Sequence, residues 1–258
     1  MTQPPPDEGS AAPEPVGFAI ADPIRQRRTS ATGFLIDAFR RRRIGRATLS
    51  GLTIVLFLAG VGMFAYPFIT DVYTTQVVQK GLQEEFDEIE VASFEEWEAE
   101  VAGETGKPLT KIVLPKLDVA TLVVEGTSPS ALRAGAGHYP NTPLPGQVGN
   151  VAIAGHRTTY GRPFNRLDQM LPGDDVWLMT PVGDYRYVVV DASEVGWVAN
   201  PLITLPKDWS VIAPTSNASL TLTTCHPKGS AAERLIVRAE LEETFEAGYY
   251  DREVAAVA

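Results

Sequence analysis

A mainly-β domain, closed as a barrel or stacked as a sandwich, is predicted behind a single transmembrane helix. Three observations lead there. An uncharged run of 23 residues, Ala47–Ile69, is long enough to cross a hydrocarbon core at about 1.5 Å per residue. From Thr110 onward the chain changes to short β-branched runs, roughly seven or eight of them, punctuated by turn residues. Helical patterns between those runs are few and short, which disfavours a parallel α/β fold.

The first segment, 1–46, reads as a disordered basic tail. Residues 1–33 are rich in Pro, Ala, Gly and charge and lack apolar periodicity. Arg40, Arg41, Arg42, Arg43 and Arg46 then cluster ahead of the apolar run. Met1–Arg46 holds 8 basic and 5 acidic residues, and the rest of the chain holds 14 and 27. The acidic majority argues against a nucleic-acid partner, which needs a basic face. The second segment, 47–69, is the transmembrane helix. A cleaved signal peptide has an apolar core of about 7–15 residues and a small-residue cleavage site, and neither is present. A buried core helix would carry a polar face, which this run lacks. Arginines before the run and carboxylates after it orient the chain with its N-terminus in the cytoplasm and its main domain outside.

The third segment, 70–106, is an acidic stalk or linker. Its apolar residues Phe86, Ile89, Phe94 and Trp97 form a ragged stripe among many carboxylates, and a solvated acidic run is the expected reading. The fourth, 107–242, carries the strands: KIVLP, TLVVEG, NVAIAG, DVWLMTP, YRYVVVDASEVG with a turn near Val182–Asp184, SLTLTTC and RLIVRAEL. ALRAGAG, residues 131–137, reads as a short helix, FNRLDQML as a helical turn, and Pro201–Pro214 as a loop with Trp209. The fifth, 243–258, is an acidic, peripheral tail.

Chemistry-bearing residues are sparse. Cys225 is the sole cysteine, so no disulfide forms within the chain. A lone cysteine is most often a small buried hydrophobe, but outside the cytosol it is a candidate reactive thiol. Period-two alternation in its strand puts Leu220, Leu222 and Thr224 on one face and Thr221, Thr223 and Cys225 on the other. The leucines belong to the core, so Cys225 faces away from it. In the next strand Leu235, Val237, Ala239 and Leu241 form the apolar face, leaving Arg234 and Ile236 on the other. Cys225 and Arg234 can therefore share one end and one face of two antiparallel strands. His156, in Gly155-His156-Arg157, also ends an apolar strand. The three histidines, His138, His156 and His226, lie 18 and 70 residues apart with no second cysteine. That spacing gives no zinc site, and the carboxylates give no defensible calcium site. A thiolate attacks a carbonyl, a cationic neighbour favours the thiolate, and an imidazole can protonate a leaving amine. No cofactor is called for.

Thr221-Leu222-Thr223-Thr224-Cys225 with Arg234 nine residues on resembles the sortase signature TLxTC…R. Ala154-Gly155-His156 resembles the sortase strand that presents its histidine. Gly137-His138-Tyr139-Pro140, Gly155-His156-Arg157-Thr158-Thr159-Tyr160-Gly161 and Thr224-Cys225-His226-Pro227 look like class E sortases of actinobacteria. The likeness covers roughly Thr110–Leu241. It implies a closed eight-stranded β-barrel and a cysteine transpeptidase. Such an enzyme cleaves a C-terminal sorting signal between Thr and Gly through a thioacyl intermediate, then passes the protein to an amine of a cell-wall precursor or a pilin. By position Cys225 would be the nucleophile, His156 the acid and base, and Arg234 the stabiliser of oxyanion or substrate. The likeness implies an LAxTG-like signal in place of LPxTG, with Tyr139 the candidate for reading that difference and Thr223 and Thr224 as further substrate contacts. Its partners would be surface proteins bearing the signal.

Two rival cysteine enzymes fit less well. L,D-transpeptidases resemble a pattern of SHGC followed closely by Arg, whereas here His226 follows the cysteine. Papain-like peptidases place the cysteine before the histidine, and here His156 comes first. A non-catalytic, membrane-tethered binding or scaffold barrel is the alternative from a different class.

Overall fold

The structure, a computed structural model, describes residues 33, 35–36, 43–101 and 103–256. The expected N-terminal tail lies largely outside the described residues. The chain divides into two units, Met1–Leu58 and Ala59–Ala258.

Helix α1 spans Arg43–Tyr73 and is long and apolar enough to cross a membrane. Leu52, Phe57 and Phe64 stand exposed on it, as expected of a helix that is apolar all round and has no partner for those side chains in water. A π-helical turn at Thr74–Val78 leads into α2, Gln79–Asp87, and then α3, Phe94–Val101. Ser93 starts α3: its hydroxyl accepts from the Glu96 N–H at 3.2 Å while Glu96 reaches back to the Ala92 N–H at 2.8 Å, a reciprocal cap of the first turn.

The acidic segment does not stand free of the strands. Trp97 and Val101 are buried against Leu109 and Leu144. Gln79 pairs with the second strand, its amide oxygen accepting from Leu122 N–H at 2.7 Å and from the Thr121 hydroxyl at 2.9 Å. Only Trp97 and Val101 of α3 are buried, so a helix with two core contacts and many carboxylates reads as solvated in sequence.

Nine strands follow: β1 (Pro108–Leu114), β2 (Val119–Glu125), β3 (Ala136–His138), β4 (Gly149–Ala154), β5 (Asp175–Thr180), β6 (Gly183–Val189), β7 (Leu202–Thr204), β8 (Ala218–His226) and β9 (Glu233–Phe245). They form one sheet in the order β6-β5-β1-β2-β3-β4-β8-β9-β7, and β6 also pairs with β9. That last pairing closes an eight-stranded barrel, which removes the free edges of an open sheet. β7 sits outside the ring on the first half of β9, with Thr204 opposite Arg234. β6 takes the second half, and a bulge skips Glu242 between Arg186 and Tyr187.

Alternation fills the barrel. Ile112 and Leu114 of β1, Leu178 of β5, Leu220 and Leu222 of β8, and Val237 of β9 are all fully buried in one cluster. The intervening Val113, Trp177 and Met179 face outward, where Tyr250 covers them. The segment after Leu241 therefore belongs partly to the fold: β9 runs on to Phe245, and Phe245 and Tyr249 stack at 4.1 Å beside Trp177.

Three details differ from the sequence reading. β3 occupies the end of the stretch taken as a short helix; α4 itself covers Pro129–Ala134, capped by the Ser128 hydroxyl, which accepts from Ala131 N–H. β7 lies inside the stretch taken as a loop. Three residues each are too few to display a period. The β5–β6 turn falls at Pro181–Val182, with Thr180 opposite Gly183. Two of the pairings, β2–β3 and β4–β8, are parallel.

Candidate active site

β8 and β9 run antiparallel with Cys225 directly opposite Arg234. Residues so opposed share a face, with Cβ atoms about 4.5–5.5 Å apart. β4 runs parallel to β8, and Ala154 lies level with Thr223. Pairing continues past the strand end. The Gly155 N–H donates to the Thr223 carbonyl at 3.0 Å, and the Thr224 hydroxyl donates to the Gly155 carbonyl at 2.8 Å. One residue further along each chain brings His156 to the level of Cys225. Gly155 suits this bend because a Cβ there would lie 2.5 Å from the Phe164 ring.

Cys225 is half-buried and unbridged. Arg234 is half-buried too, and its Nη1 donates to the carbonyls of Ala231 and Glu233 at 3.1 and 3.0 Å. His156 is half-buried, with its ring 5.1 Å from that of Tyr160. Among the described residues no hydrogen bond reaches either of its ring nitrogens. Burial, and secondarily the Arg133 cation, push its pKa below the ordinary histidine value, because both disfavour a charged ring.

A cleft of about 90 Å³ opens on the same outer face of β8 and β9. Tyr139, Thr223, Arg234 and Ile236 line it, and Leu205 and Trp209 stand exposed on its rim. The Tyr139 hydroxyl lies 3.1 Å from that of Thr223. The structure thus brings Tyr139, Thr223 and Arg234 to one cleft, with Cys225 paired to Arg234 and His156 following Gly155, which is bonded to Thr223 and Thr224. Thr224 is turned away from that cleft, 3% exposed, with its hydroxyl bonded to Gly155.

The sortase domain family matches residues 112–242, just over half of the sequence. The chain belongs to the sortase family. Sortase D of Bacillus subtilis is 31% identical over 137 residues, 52% of this chain and 64% of that protein. Sortase SrtE1 of Streptomyces coelicolor is 32% identical over 155 residues, 54% of this chain and 42% of that protein. The chain therefore spans less than two thirds of the length of either relative. Among solved structures, sortase E from Streptomyces avermitilis aligns with a TM-score of 0.51 and 34% identity over 60% of this chain and 99% of that one.

The candidate site has two supporting residues to which sequence reasoning gave no role. Arg157 is 4% exposed. Its Nη1 donates to the Cys225 carbonyl at 3.3 Å and to Nδ1 of His226 at 2.8 Å, while its Nη2 meets Asp168 at 3.0 Å. Arginine has no acceptor, so His226 Nδ1 is the acceptor. The signal was present, since Arg157 follows His156 and alternation turns it the opposite way. The other is Tyr160, which walls the His156 ring. It comes from a loop, where no period reports orientation.

Proposed function

We propose that this sortase is a membrane-anchored cysteine transpeptidase acting outside the cell. The observation that carries the reading is the register: Cys225 opposite Arg234, with His156 delivered to the same end by the parallel strand β4. Cys225 passes its thiol proton to His156, and its Sγ attacks the carbonyl of the threonine in a C-terminal sorting signal. His156 protonates the departing glycine amine, leaving a thioester on Cys225. An incoming amine, from a cell-wall precursor or a pilin, attacks that thioester and gives a proton to His156. Arg234, the cation facing the thiol across the ladder, favours the thiolate and holds the developing oxyanion or the substrate backbone.

The cleft containing Tyr139 and Thr223 lies on the path of the signal toward Cys225, and the LAxTG type is the signal proposed for it. Thr224 serves this site by fixing Gly155. Helix α1 holds the barrel to the membrane over 47–69, and Arg40–Arg46 keep the N-terminus cytoplasmic. The segment 107–242 is the catalytic domain, preceded by the tail 1–46 and the packed linker 70–106 and followed by 243–258.

The test is cleavage of a labelled LAxTG peptide, beside LPxTG, by the full chain in detergent, with and without an amine acceptor. Turnover that gains a transpeptidated product with the amine, and vanishes in Cys225→Ala, supports the reading. Equal turnover by parent and Cys225→Ala ends it.

A further inference from the structure

Between His156 and Phe164 the chain leaves the barrel and returns. The return is fixed, since Phe164 is fully buried in the core and its N–H donates to the His156 carbonyl at 3.3 Å. The tip of the excursion is held differently. Tyr160, Gly161 and Arg162 have φ of +54°, +76° and +48°. Two of the three carry side chains, and each such residue in the left-handed region costs about 1 kcal/mol or more. An arch of this kind persists only where its surroundings enforce it.

The enforcing groups come from the helix that leaves the membrane. Asp71 is 9% exposed. Its Oδ2 lies 2.6 Å from Nε of Arg162, and its Oδ1 accepts from the Gly161 N–H at 3.0 Å. One carboxylate thus grips two successive residues of the arch. Five residues earlier, the Tyr66 hydroxyl lies 3.0 Å from that of Tyr160. Thr74 packs close beside Gly161. The Tyr160 ring, placed by these contacts, stands 5.1 Å from the imidazole of His156.

We propose that Asp71 is a positioning residue for His156: it clamps the arch at Gly161 and Arg162, and the arch holds the Tyr160 ring against the imidazole. The inference rests on the proton-transfer role proposed above for His156. An acid that must meet a leaving amine loses rate steeply with small displacements, as much as about 100-fold for an ångström. The segment between membrane and barrel is on this account part of the catalytic apparatus. Binding of the signal, which occupies the cleft on the far side of Cys225, does not pass through it.

The experiment uses the full chain in detergent, with active sites counted by alkylation of Cys225, and compares Asp71→Ala, Asp71→Asn, Tyr160→Ala, the double variant Asp71→Ala/Tyr160→Ala, and His156→Ala. Asp71→Ala is expected to lower kcat per titrated site about tenfold with KM for the LAxTG peptide within about twofold. Asp71→Asn keeps an acceptor for the Gly161 N–H and loses less. The double variant is no slower than Tyr160→Ala, because both changes act through one ring. An Asp71→Ala with the parent's kcat per site, or a double variant whose losses multiply, overturns the clamp while a dead His156→Ala leaves the catalytic reading standing. A His156→Ala with the parent's turnover removes both. If Asp71→Ala does not accumulate, Asp71→Asn and its double with Tyr160→Ala carry the same cycle.

Discussion

His138 and His156 occupy comparable places, the ends of the neighbouring strands β3 and β4, and they are treated in opposite ways. His138 is 2% exposed and both ring nitrogens are occupied. Nδ1 meets Glu125 Oε2 at 2.6 Å, and Nε2 meets the Pro143 carbonyl at 3.0 Å and the Thr142 hydroxyl at 2.9 Å. His156 has an aromatic wall, a distant cation and, among the described residues, no hydrogen bond on its ring. A side chain with every site satisfied is fixed and fastens what surrounds it. One with open sites has capacity left for a substrate. The same residue type, one strand apart, thus serves structure in one case and is available for chemistry in the other.

The contrast breaks most sharply by deletion. His156→Ala is expected to lower turnover of an LAxTG peptide by about 100- to 10,000-fold while the melting temperature stays near the parent's, because general acid–base help is of that size and no ring hydrogen bond is lost. Peptide kinetics beside a thermal melt reads both. His138→Ala should do the reverse, costing about 3–5 kcal/mol by leaving the Glu125 carboxylate buried and unpaired. Denaturant titration measures that, and kcat per active site should stay within a few-fold. If His138→Ala proves well folded and inactive, the assignment of the two histidines is inverted.

Arg157 sharpens the comparison from the other side. Its guanidinium spans the ends of β4 and β8, touching the Cys225 carbonyl and His226. Arg157→Met keeps much of the buried volume and removes those bonds. It should lower kcat about tenfold with little change in KM, through misplacement of the thiol. His226→Ala removes one of the three acceptors that Arg157 uses, and a loss smaller than that of Arg157→Met is expected in the same assay. A His226→Ala as inactive as His156→Ala would move the acid–base role to His226.

How far these placements were legible follows from what carries period. Long strands declared themselves: β8 alternates Leu220, Leu222 against Thr221, Thr223, β9 alternates Leu235, Val237 against Arg234, Ile236, and from the two together Cys225 and Arg234 fall on one face at one end, as their register shows. Strand pattern alone left barrel and sandwich open, and the closed barrel came from the resemblance, because closure depends on β9 being long enough to pair with β8 on one edge and with both β7 and β6 on the other. What Thr221 and Thr223 touch within the fold was not legible either. Alternation says only that they face away from the leucines. Their partners, Asn150 of β4 at 2.7 Å from Thr221 and Tyr139 just after β3 beside Thr223, are brought there by tertiary folding. Tyr160, Asp71 and Arg162 were invisible for the same reason: a loop tip and a helix end 90 residues apart share no pattern. Gln79 and Trp97, inside a run of carboxylates, were outvoted by composition.

The smallest expected effect concerns acidity and isolates His156 from its folded surroundings. Its pKa is pushed below the ordinary value by burial and by the Arg133 cation. The unfolded chain, with the ring in water, takes up a proton near about pH 6.5. Below that pH the unfolded state therefore binds more protons than the folded one. Stability from this group is complete above about pH 6.5 and falls as the pH drops from there toward the lower folded value. His156→Gln, a neutral side chain at every pH, removes that component. Melting temperatures of the full chain in detergent, taken between about pH 5 and 7.5, should fall less steeply for His156→Gln than for the parent. Identical slopes would mean that the ring is as well solvated as a free histidine, and the half-buried, unpaired acid that distinguishes this site from His138 would not exist.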